Sequence, residues 1–312
     1  MTTYKGLRGL TIQTVAGDPS NLSAGQIWYN NSAKKIKVFK AGAGAWSTAT
    51  ALNTGRTVQA TAGIQTAGLC SGGNPAPSRA LSEEWNGSAW AEGDNLQTAR
   101  SSFRGTGTQT AALAVGGAPP ANGTGATEEY NGTSWSEQSD RNAGYNLGLA
   151  GTQTAGLAMG GYDGGGMNEV DEYDGSSWTA GGNYPASVYN LTGIGTQTAA
   201  LGLGGTPGLG AKAKEYDGSS WSEGGDLPGD WAWTQGAGTQ TAAISAFDGS
   251  CATYNGTAWS EVGDLNTPRR EGDGSNAGTS AATSYYAGGD PGPSACEEWD
   301  DPSLVTATFT SS

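Results

Sequence analysis

The sequence predicts an all-β protein folded as a β-propeller of six four-stranded blades. The first observation is a Gly-x-Gln-Thr-Ala turn that recurs along the chain. Its five full copies begin at Gly63, Gly107, Gly151, Gly195 and Gly238, and a degenerate sixth copy lies at 278–282. The spacings between successive copies are 44, 44, 44, 43 and 40 residues. The second is an aromatic residue that follows each copy, with an Asn-Gly or Asp-Gly turn after it in the first five. The third is the content of 54 Gly residues in a sequence that shows no helical periodicity of its apolar residues. This combination is typical of short strands joined by tight turns.

Each repeated unit is predicted to contain four strands, which we name A to D. Strand A precedes the Gln-Thr turn, and strand B ends in a Gly-Gly pair in every unit except the fifth. Strand C carries the aromatic residue, and strand D begins at a Trp five residues later. The Asn-Gly and Asp-Gly turns between C and D are strong hairpin signals because both turn positions require positive φ.

The sixth unit lacks a Trp for strand D. Trp46 lies 17 residues before Gly63, as Trp90 lies 17 residues before Gly107. We therefore predict that the segment around Trp46 supplies strand D of the last blade, so that the two ends of the chain close the ring. Two alternatives stay open at this point. Residues 303–309 could form that strand while residues 1–50 form a separate module, or a seventh blade could mix both termini.

Charge divides the chain into two parts. Residues 1–56 carry seven basic side chains and one acidic side chain, whereas residues 57–312 carry eight basic and 28 acidic side chains. We predict a basic N-terminal arm with a β-hairpin at 1–44 and the propeller at 45–312. The acidic body disfavours nucleic acid as a partner. The arm's predicted docking residues are Trp28, Tyr29, Lys34, Lys35 and Lys37.

The chain contains no His, which excludes Ser-His-Asp and Cys-His catalysis and any metal site that needs imidazole. Its three Cys residues show no CxxC spacing, and Cys251 and Cys296 share a repeat position occupied elsewhere by small residues, so we expect buried thiols. We predict no enzymatic activity, no metal and no cofactor. No apolar run matches a signal peptide or a membrane span, so we expect cytoplasmic synthesis and no membrane insertion.

Variation between the repeats points to one face of the propeller. The A–B and C–D turns share one face and are nearly identical between units, whereas the B–C and D–A loops share the other face and differ. We call the second the variable-loop face. Binding residues tend to lie on loops carried by a rigid scaffold. Asp230-Trp-Ala-Trp233 departs most from its repeat-mates and is predicted to form a stacking platform for a sugar. The candidate ligand-binding residues are Tyr145, Tyr184, Tyr189, Trp231, Trp233, Arg269 and Arg270.

The order Gly-Gly, aromatic residue and Trp in four-stranded units resembles the kelch repeat of β-propellers. The shortened Tyr-Asn/Asp-Gly version, alternating with Gly-Thr-Gln-Thr-Ala, is similar to kelch-type virion proteins of tailed bacteriophages, particularly marine ones. Residues 25–30, 35–39 and Trp46 are similar to short segments of phage fibres. Galactose oxidases share the kelch type, but their copper site needs two His and cannot be carried over.

The resemblance implies a non-enzymatic structural protein of the virion, a tail-fibre or appendage component. It would bind other virion proteins through the arm and host-surface glycans through the variable loops, and a homo-oligomer is compatible with this role. One alternative is a capsid decoration or head-fibre protein without a receptor role. Another is a glycan-processing enzyme that uses carboxylates.

Overall fold

The computed structural model describes residues 13–15, 27–32, 35–41, 44–76, 79–119, 121–142, 144–271, 273–274, 285–290, 294–300 and 304–308. These residues form strands, numbered β1 to β28 along the chain, together with turns and bends. Among them there is no helix that could cross a membrane. The chain divides into two compact units, Ala45–Asp300 and the combination of Met1–Gly44 with Asp301–Ser312.

The larger unit is a β-propeller that contains five blades, each built from four consecutive antiparallel strands. The blades follow the predicted units A to D. The first is β5 to β8 (Ala60–Ile64, Ala67–Ser71, Ser82–Trp85, Trp90–Glu92), and the second is β9 to β12 (Arg104–Thr108, Ala111–Val115, Thr127–Tyr130, Trp135–Glu137). The third is β13 to β16 (Gly148–Thr152, Ala155–Met159, Val170–Tyr173, Trp178–Ala180). The fourth is β17 to β20 (Tyr189–Thr196, Ala199–Thr206, Ala213–Tyr216, Trp221–Glu223), and the fifth is β21 to β24 (Gln235–Thr239, Ala242–Phe247, Ser250–Tyr254, Trp259–Glu261).

A further four-stranded sheet of this unit joins distant parts of the chain. It contains β25 (Asp273–Gly274), β26 (Tyr285–Ala287), β27 (Cys296–Asp300) and β4 (Ala45–Ala49), in that order. Trp46 stands opposite Trp299 with ring centroids 5.4 Å apart, as Trp90 stands opposite Trp85 at 5.3 Å. The segment around Trp46 thus pairs with the strand that carries the last aromatic residue of the repeat.

The smaller unit contains a sheet of its own, with the order β1 (Gln13–Val15), β2 (Ile27–Asn30), β3 (Lys35–Ala41) and β28 (Leu304–Thr308). The predicted hairpin corresponds to β2 and β3. The alternative that placed strand D of the last unit at 303–309 is wrong, because β28 pairs with β3 while both sides of β27 are occupied by β26 and β4.

Close backbone approach between neighbouring blades explains two glycine positions. A Cβ on Gly193 of β17 would lie 2.6 Å from the backbone carbonyl carbon of Leu149 in the preceding blade, so no larger residue fits there. In the Gly-Gly pair that ends β6, Gly73 has φ +102 and donates its N–H to the carbonyl of Arg100 in the next blade at 3.0 Å. Only Gly adopts this conformation without strain.

The repeated polar and aromatic side chains connect one blade to the one before it. Gln109, from the Gln-Thr turn, donates to the carbonyls of Gly68 and Trp85 at 2.9 and 2.7 Å, and Gln153, Gln197 and Gln240 make the equivalent bonds. The strand C tyrosines donate to glutamates of the preceding blade through Tyr130, Tyr173, Tyr216 and Tyr254. Each blade therefore depends on its neighbour for hydrogen bonds as well as for apolar contact.

Buried ion pairs fix the D–A loops to strand C. Glu128 of β11 accepts the backbone N–H groups of Gln97 and Thr98 at 2.7 and 3.1 Å and pairs with the fully buried Arg100. The same arrangement occurs at Arg56 with Glu83 and at Arg269 with Glu297, and Arg141 pairs with Asp171. Burial lowers the pKa of Arg100, and Glu128 opposes that shift. These pairs set the path of the loops on the variable-loop face.

Replacement of Glu128 with Gln should destabilise the protein by about 3–5 kcal/mol, because the buried Arg100 guanidinium loses its counter-charge. Urea unfolding measures the difference in the free energy of unfolding. The matched control is Glu261→Gln on the exposed end of β24, which we expect to change stability by less than about 0.5 kcal/mol. Equal effects of the two substitutions would contradict the role assigned to the pair.

Asp273 is a buried carboxylate on β25 that accepts the N–H of Thr61 at 2.9 Å. Burial raises its pKa to about 6, although the positive charge of Arg104 and the hydrogen bond from Thr61 oppose the shift. The folded state therefore binds this proton more tightly than the unfolded chain does. Its contribution makes stability fall as the pH rises from about 4 to about 7.

Asp273→Asn should remove this pH dependence while it keeps a carbonyl oxygen for Thr61. Between pH 4 and 7 the unmodified protein should lose about 3 kcal/mol more unfolding free energy than the variant, from a pKa difference of about two units. Urea unfolding at several pH values measures the two slopes. The surface variant Asp264→Asn is the control, and parallel curves for the protein and Asp273→Asn would refute the assignment.

Candidate binding site on the variable-loop face

Three of the predicted ligand-binding residues are buried, which corrects the predicted set. Tyr184 is 1% exposed and occupies the position that Leu52 and Leu96 hold in the first two units, with its ring against Trp221. Trp231 is 6% exposed and stands where the first two units have the paired arginines. Arg269 is fully buried in its pair with Glu297. These side chains serve the fold rather than a surface site.

The predicted stacking platform at Asp230-Trp-Ala-Trp233 does not form, because its two tryptophans are not presented together. Trp231 points into the core, where its ring lies 6.3 Å from that of Phe247. Trp233 is half-buried with φ +66. Arg270 is exposed, pairs with Asp248 and lies over the Phe247 ring at 5.5 Å. Its charge is therefore already matched within the protein.

The predicted docking residues lie on the hairpin of the smaller unit. Trp28 and Tyr29 belong to β2, and Lys35 and Lys37 belong to β3, with Trp28 directly opposite Lys37. Tyr29 is half-buried. Lys34 falls outside the described residues. The structure thus places four of the five residues on adjacent strands of one sheet.

A pair of residues faces each other at the end of each of five sheets on the variable-loop face. We call it the end pair: one member lies just before or at the start of strand A, and the other follows the Gly-Gly pair. The members of the first three are joined by two backbone hydrogen bonds, as in Tyr145 N–H to Tyr162 O at 3.1 Å and Tyr162 N–H to Tyr145 O at 2.9 Å. The end pairs are Thr57–Asn74, Ser101–Ala118, Tyr145–Tyr162, Tyr189–Thr206 and Arg270–Asp290.

The residue after the first member of each end pair has positive φ, and in four of the five it donates its N–H to the equivalent carbonyl of the preceding sheet. Trp233 holds the same place in the fifth blade, and Glu271 acts as an acceptor. Ser102 donates to Val58 at 2.8 Å, and Asn146 donates to Ser102 at 2.8 Å. Three more bonds continue the series, from Asn190 to Asn146, Trp233 to Asn190 and Val58 to Glu271. The φ angles of these six residues run from 50° to 66°. The end pairs therefore occupy positions fixed by the backbone.

Three tyrosines of the third and fourth end pairs form a cluster, which we call the tyrosine cluster: Tyr145, Tyr162 and Tyr189. The ring centroid of Tyr162 lies 5.3 Å from that of Tyr145 and 5.1 Å from that of Tyr189, with interplanar angles of 60° and 70°. All three side chains are half-buried. Tyr162 lies between the other two rings, so the cluster presents tilted rings rather than one flat surface.

The hydroxyl groups distinguish these tyrosines from those of strand C. Tyr173, Tyr216 and Tyr254 donate to glutamates at 3.0, 2.7 and 2.7 Å. By contrast, none of the residues that the structure describes forms a hydrogen bond with the hydroxyls of the tyrosine cluster. Burial, together with Tyr162 and Tyr189, raises the pKa of Tyr145, so that its hydroxyl stays neutral at neutral pH and can donate and accept.

Two exposed polar residues lie on the loops next to the cluster. Tyr145 packs on Gly123, where an added Cβ would lie 3.0 Å from its ring, and Gly164 of the following loop adjoins Asn122. Asn122 and Asp163 are exposed. The arrangement combines half-exposed aromatic rings, an amide and a carboxylate, which is the composition of a site for a ligand with apolar and hydroxyl-bearing surfaces. Tyr162 was absent from the predicted set because nothing in the sequence shows that it faces Tyr145.

The described residues offer few other features that could form a metal site, a reactive thiol or a ligand pocket. They contain no group of three or more His, Cys, Asp or Glu that could hold a metal ion. All three cysteines are buried, and burial raises the pKa of Cys70 and of Cys251 to about 12 and that of Cys296 to about 11. A cavity of about 400 Å³ beside Glu128 has a smaller equivalent beside Glu83, so this feature repeats with the fold.

No model of a known protein family matches the chain, and no curated protein matches it in sequence.

Proposed function

We propose that this chain is a non-enzymatic structural protein of a bacteriophage particle, a tail-fibre or appendage component that displays a kelch-like propeller to the host surface. The observation that carries the proposal is the tyrosine cluster, a group of half-exposed aromatic residues at positions where other sheets have Thr, Asn, Ser, Ala, Arg and Asp. A scaffold with repeated internal contacts and variable, mostly half-buried end pairs suits recognition. The resemblance of the repeat to kelch-type phage proteins supports the virion role.

We further propose that the sheet β25-β26-β27-β4 is the sixth blade of this propeller. Three contacts support the assignment. Gly289 donates to the carbonyl of Arg56 at 3.1 Å, as Gly73 donates to that of Arg100. The Trp46 indole N–H donates to Cys251 Sγ at 3.2 Å, in the way that Trp135 donates to Ser82 Oγ of the blade before it. In addition, β25 contacts both β21 and β5.

The non-enzymatic assignment draws on the residues available for chemistry. The chain has no His, and its buried thiols are protonated at neutral pH. The buried carboxylates Glu83, Glu128 and Glu297 each accept backbone N–H groups and pair with an arginine, which favours a structural role over acid–base catalysis.

The smaller unit is our candidate for attachment to the particle. Its predicted docking residues lie on β2 and β3, and β28 pairs with β3, so both ends of the chain contribute to the same sheet. The N-terminal segment is basic whereas the propeller is strongly acidic. In this proposal the smaller unit binds a neighbouring virion protein and the acidic propeller is displayed to the outside.

Electron cryo-microscopy of the phage particle should locate the protein on the tail or on an appendage, with the propeller outermost. The measurement is the position of its density, identified by an affinity tag placed at Gly165 in the exposed loop of the third blade. A position on the head lattice would contradict the tail-fibre assignment and would favour the capsid decoration alternative.

A chain limited to Ala45–Asp300 should fold but fail to enter particles, because it keeps every strand of the larger unit and lacks the proposed attachment sheet. Circular dichroism and urea unfolding test the fold, and mass spectrometry of purified particles measures incorporation against the full chain. Incorporation at the level of the full chain would show that attachment does not use the smaller unit.

A further inference from the structure

We propose that the tyrosine cluster binds an uncharged pyranose sugar, with a ring of the cluster against the C–H face of the sugar and the hydroxyls and nearby polar groups on its edge. The inference rests on the proposed function, because it names the ligand class of the host-facing surface. It also moves the recognition site from the predicted tryptophans at 231 and 233 to the third and fourth blades.

The fold does not require tyrosine at these positions. In the second blade Ser101 and Ala118 form the same pair of backbone hydrogen bonds, at 2.9 and 2.8 Å, that join Tyr145 to Tyr162. The first blade does so with Thr57 and Asn74. The scaffold therefore forms with small residues here, and a role in binding accounts for three large half-exposed rings.

The ring geometry favours a sugar over a planar ligand. The neighbouring rings are tilted by 60° and 70°, so they offer no parallel pair between which a planar ligand could insert. Tilted rings around Tyr162 form a corner. A pyranose presents C–H groups on its face and hydroxyls around its edge, so one ring of the corner can contact the face while the others lie beside the edge.

The hydrogen-bonding groups around the corner match sugar hydroxyls, which both donate and accept. The three phenol hydroxyls have no partner among the described residues, in contrast to the four strand C tyrosines. Asn122 adds an amide that donates and accepts, and Asp163 adds an acceptor. A few polar groups around an apolar surface fix the orientation of a small ligand.

The charged side chains near the tyrosine cluster favour an uncharged sugar as the ligand. The arginines nearest in sequence, Arg100, Arg104 and Arg141, are buried, and Arg100 and Arg141 pair with carboxylates. In the fourth blade Lys212 pairs with Asp226 and Lys214 pairs with Glu223. Asp163, which follows Tyr162 in the chain, adds an exposed carboxylate. A sialylated, sulfated or phosphorylated glycan would meet this carboxylate and the field of an acidic protein, and each of these five cations is buried or already paired.

The test uses a double variant copied from the second blade of the same chain. Tyr145→Ser with Tyr162→Ala reproduces the Ser101–Ala118 end pair, so it should fold with an unchanged circular dichroism spectrum. The full-length protein is applied to an array of neutral and anionic glycans, and the affinity for the strongest ligand is measured by titration calorimetry. We expect neutral glycans to bind, and the double variant to bind at least about tenfold more weakly.

Two further variants separate the proposed site from its alternatives. Trp233→Asn is the matched control, since Asn146 and Asn190 hold the equivalent positive-φ position in the third and fourth blades, and it should leave glycan affinity unchanged. Tyr162→Phe keeps the ring and removes the hydroxyl, so it should weaken binding less than the double variant.

The outcomes distinguish this inference from the function on which it rests. Glycan binding that is lost in Trp233→Asn and kept in the double variant would overturn the site, and preferential binding of anionic glycans would overturn the ligand class. If adsorption to the host depends on this protein but the protein binds no glycan, the assignment of a sugar ligand would be wrong while the attachment function would stand. Adsorption that is unaffected when the protein is removed from the particle would overturn the attachment function itself.

Discussion

A series of backbone hydrogen bonds between residues at or just before strand A of successive sheets is the constraint on which the rest of the larger unit depends. Its donors and acceptors adopt positive φ, a conformation that is costly for residues other than Gly and tolerated best by Asn. Asn146 and Asn190 suit this position, whereas Val58 and Trp233 occupy it at greater cost, which the surrounding packing has to offset. Because all of these residues except Trp233 lie directly after the first member of an end pair, the bonds also fix the backbone positions of the end pairs on the variable-loop face.

Buried ion pairs are the second interaction that holds the D–A loops in place. A carboxylate two residues before the strand C aromatic accepts two loop N–H groups and pairs with an arginine in three sheets, so a buried hydrogen-bonded network holds the D–A loop. The fifth blade has Ala252 and Trp231 at these positions instead, and the fourth has Lys214. Apolar packing and an ion pair are thus interchangeable solutions at one position, as expected when the desolvation cost of a buried pair approaches its Coulombic gain.

The repeat could be predicted from the sequence because strand, turn and glycine signals are local and recur at a constant spacing. The pairing of Trp46 opposite Trp299 could be inferred as well, since the missing strand left a gap in an otherwise constant order. Whether the loop side chains point into the core or toward solvent could not be predicted. Tyr184 and Trp231 differ from their repeat-mates, and that difference suggested exposure, yet they replace a core Leu and a buried Arg. In three units a Leu (Leu52, Leu96 or Leu265) is followed four residues later by an Arg. An alignment of the repeats places Tyr184 at the Leu position and Trp231 at the Arg position, which is the sequence signal that both are buried.

The comparison of repeats therefore has to separate two kinds of variation. A buried position varies when one packing solution replaces another, and such variation carries no information about ligands. An end pair is different, because its backbone is held by hydrogen bonds that make no demand on the side chains, as Ser101 and Ala118 demonstrate. The fold does not require Tyr at such a position, and the phenols of the cluster form no hydrogen bond with the part of the chain that the structure describes. The functional signal of an internal repeat lies where the backbone is most constrained and the side chain least constrained, and in this chain that condition holds at Tyr145 and Tyr162.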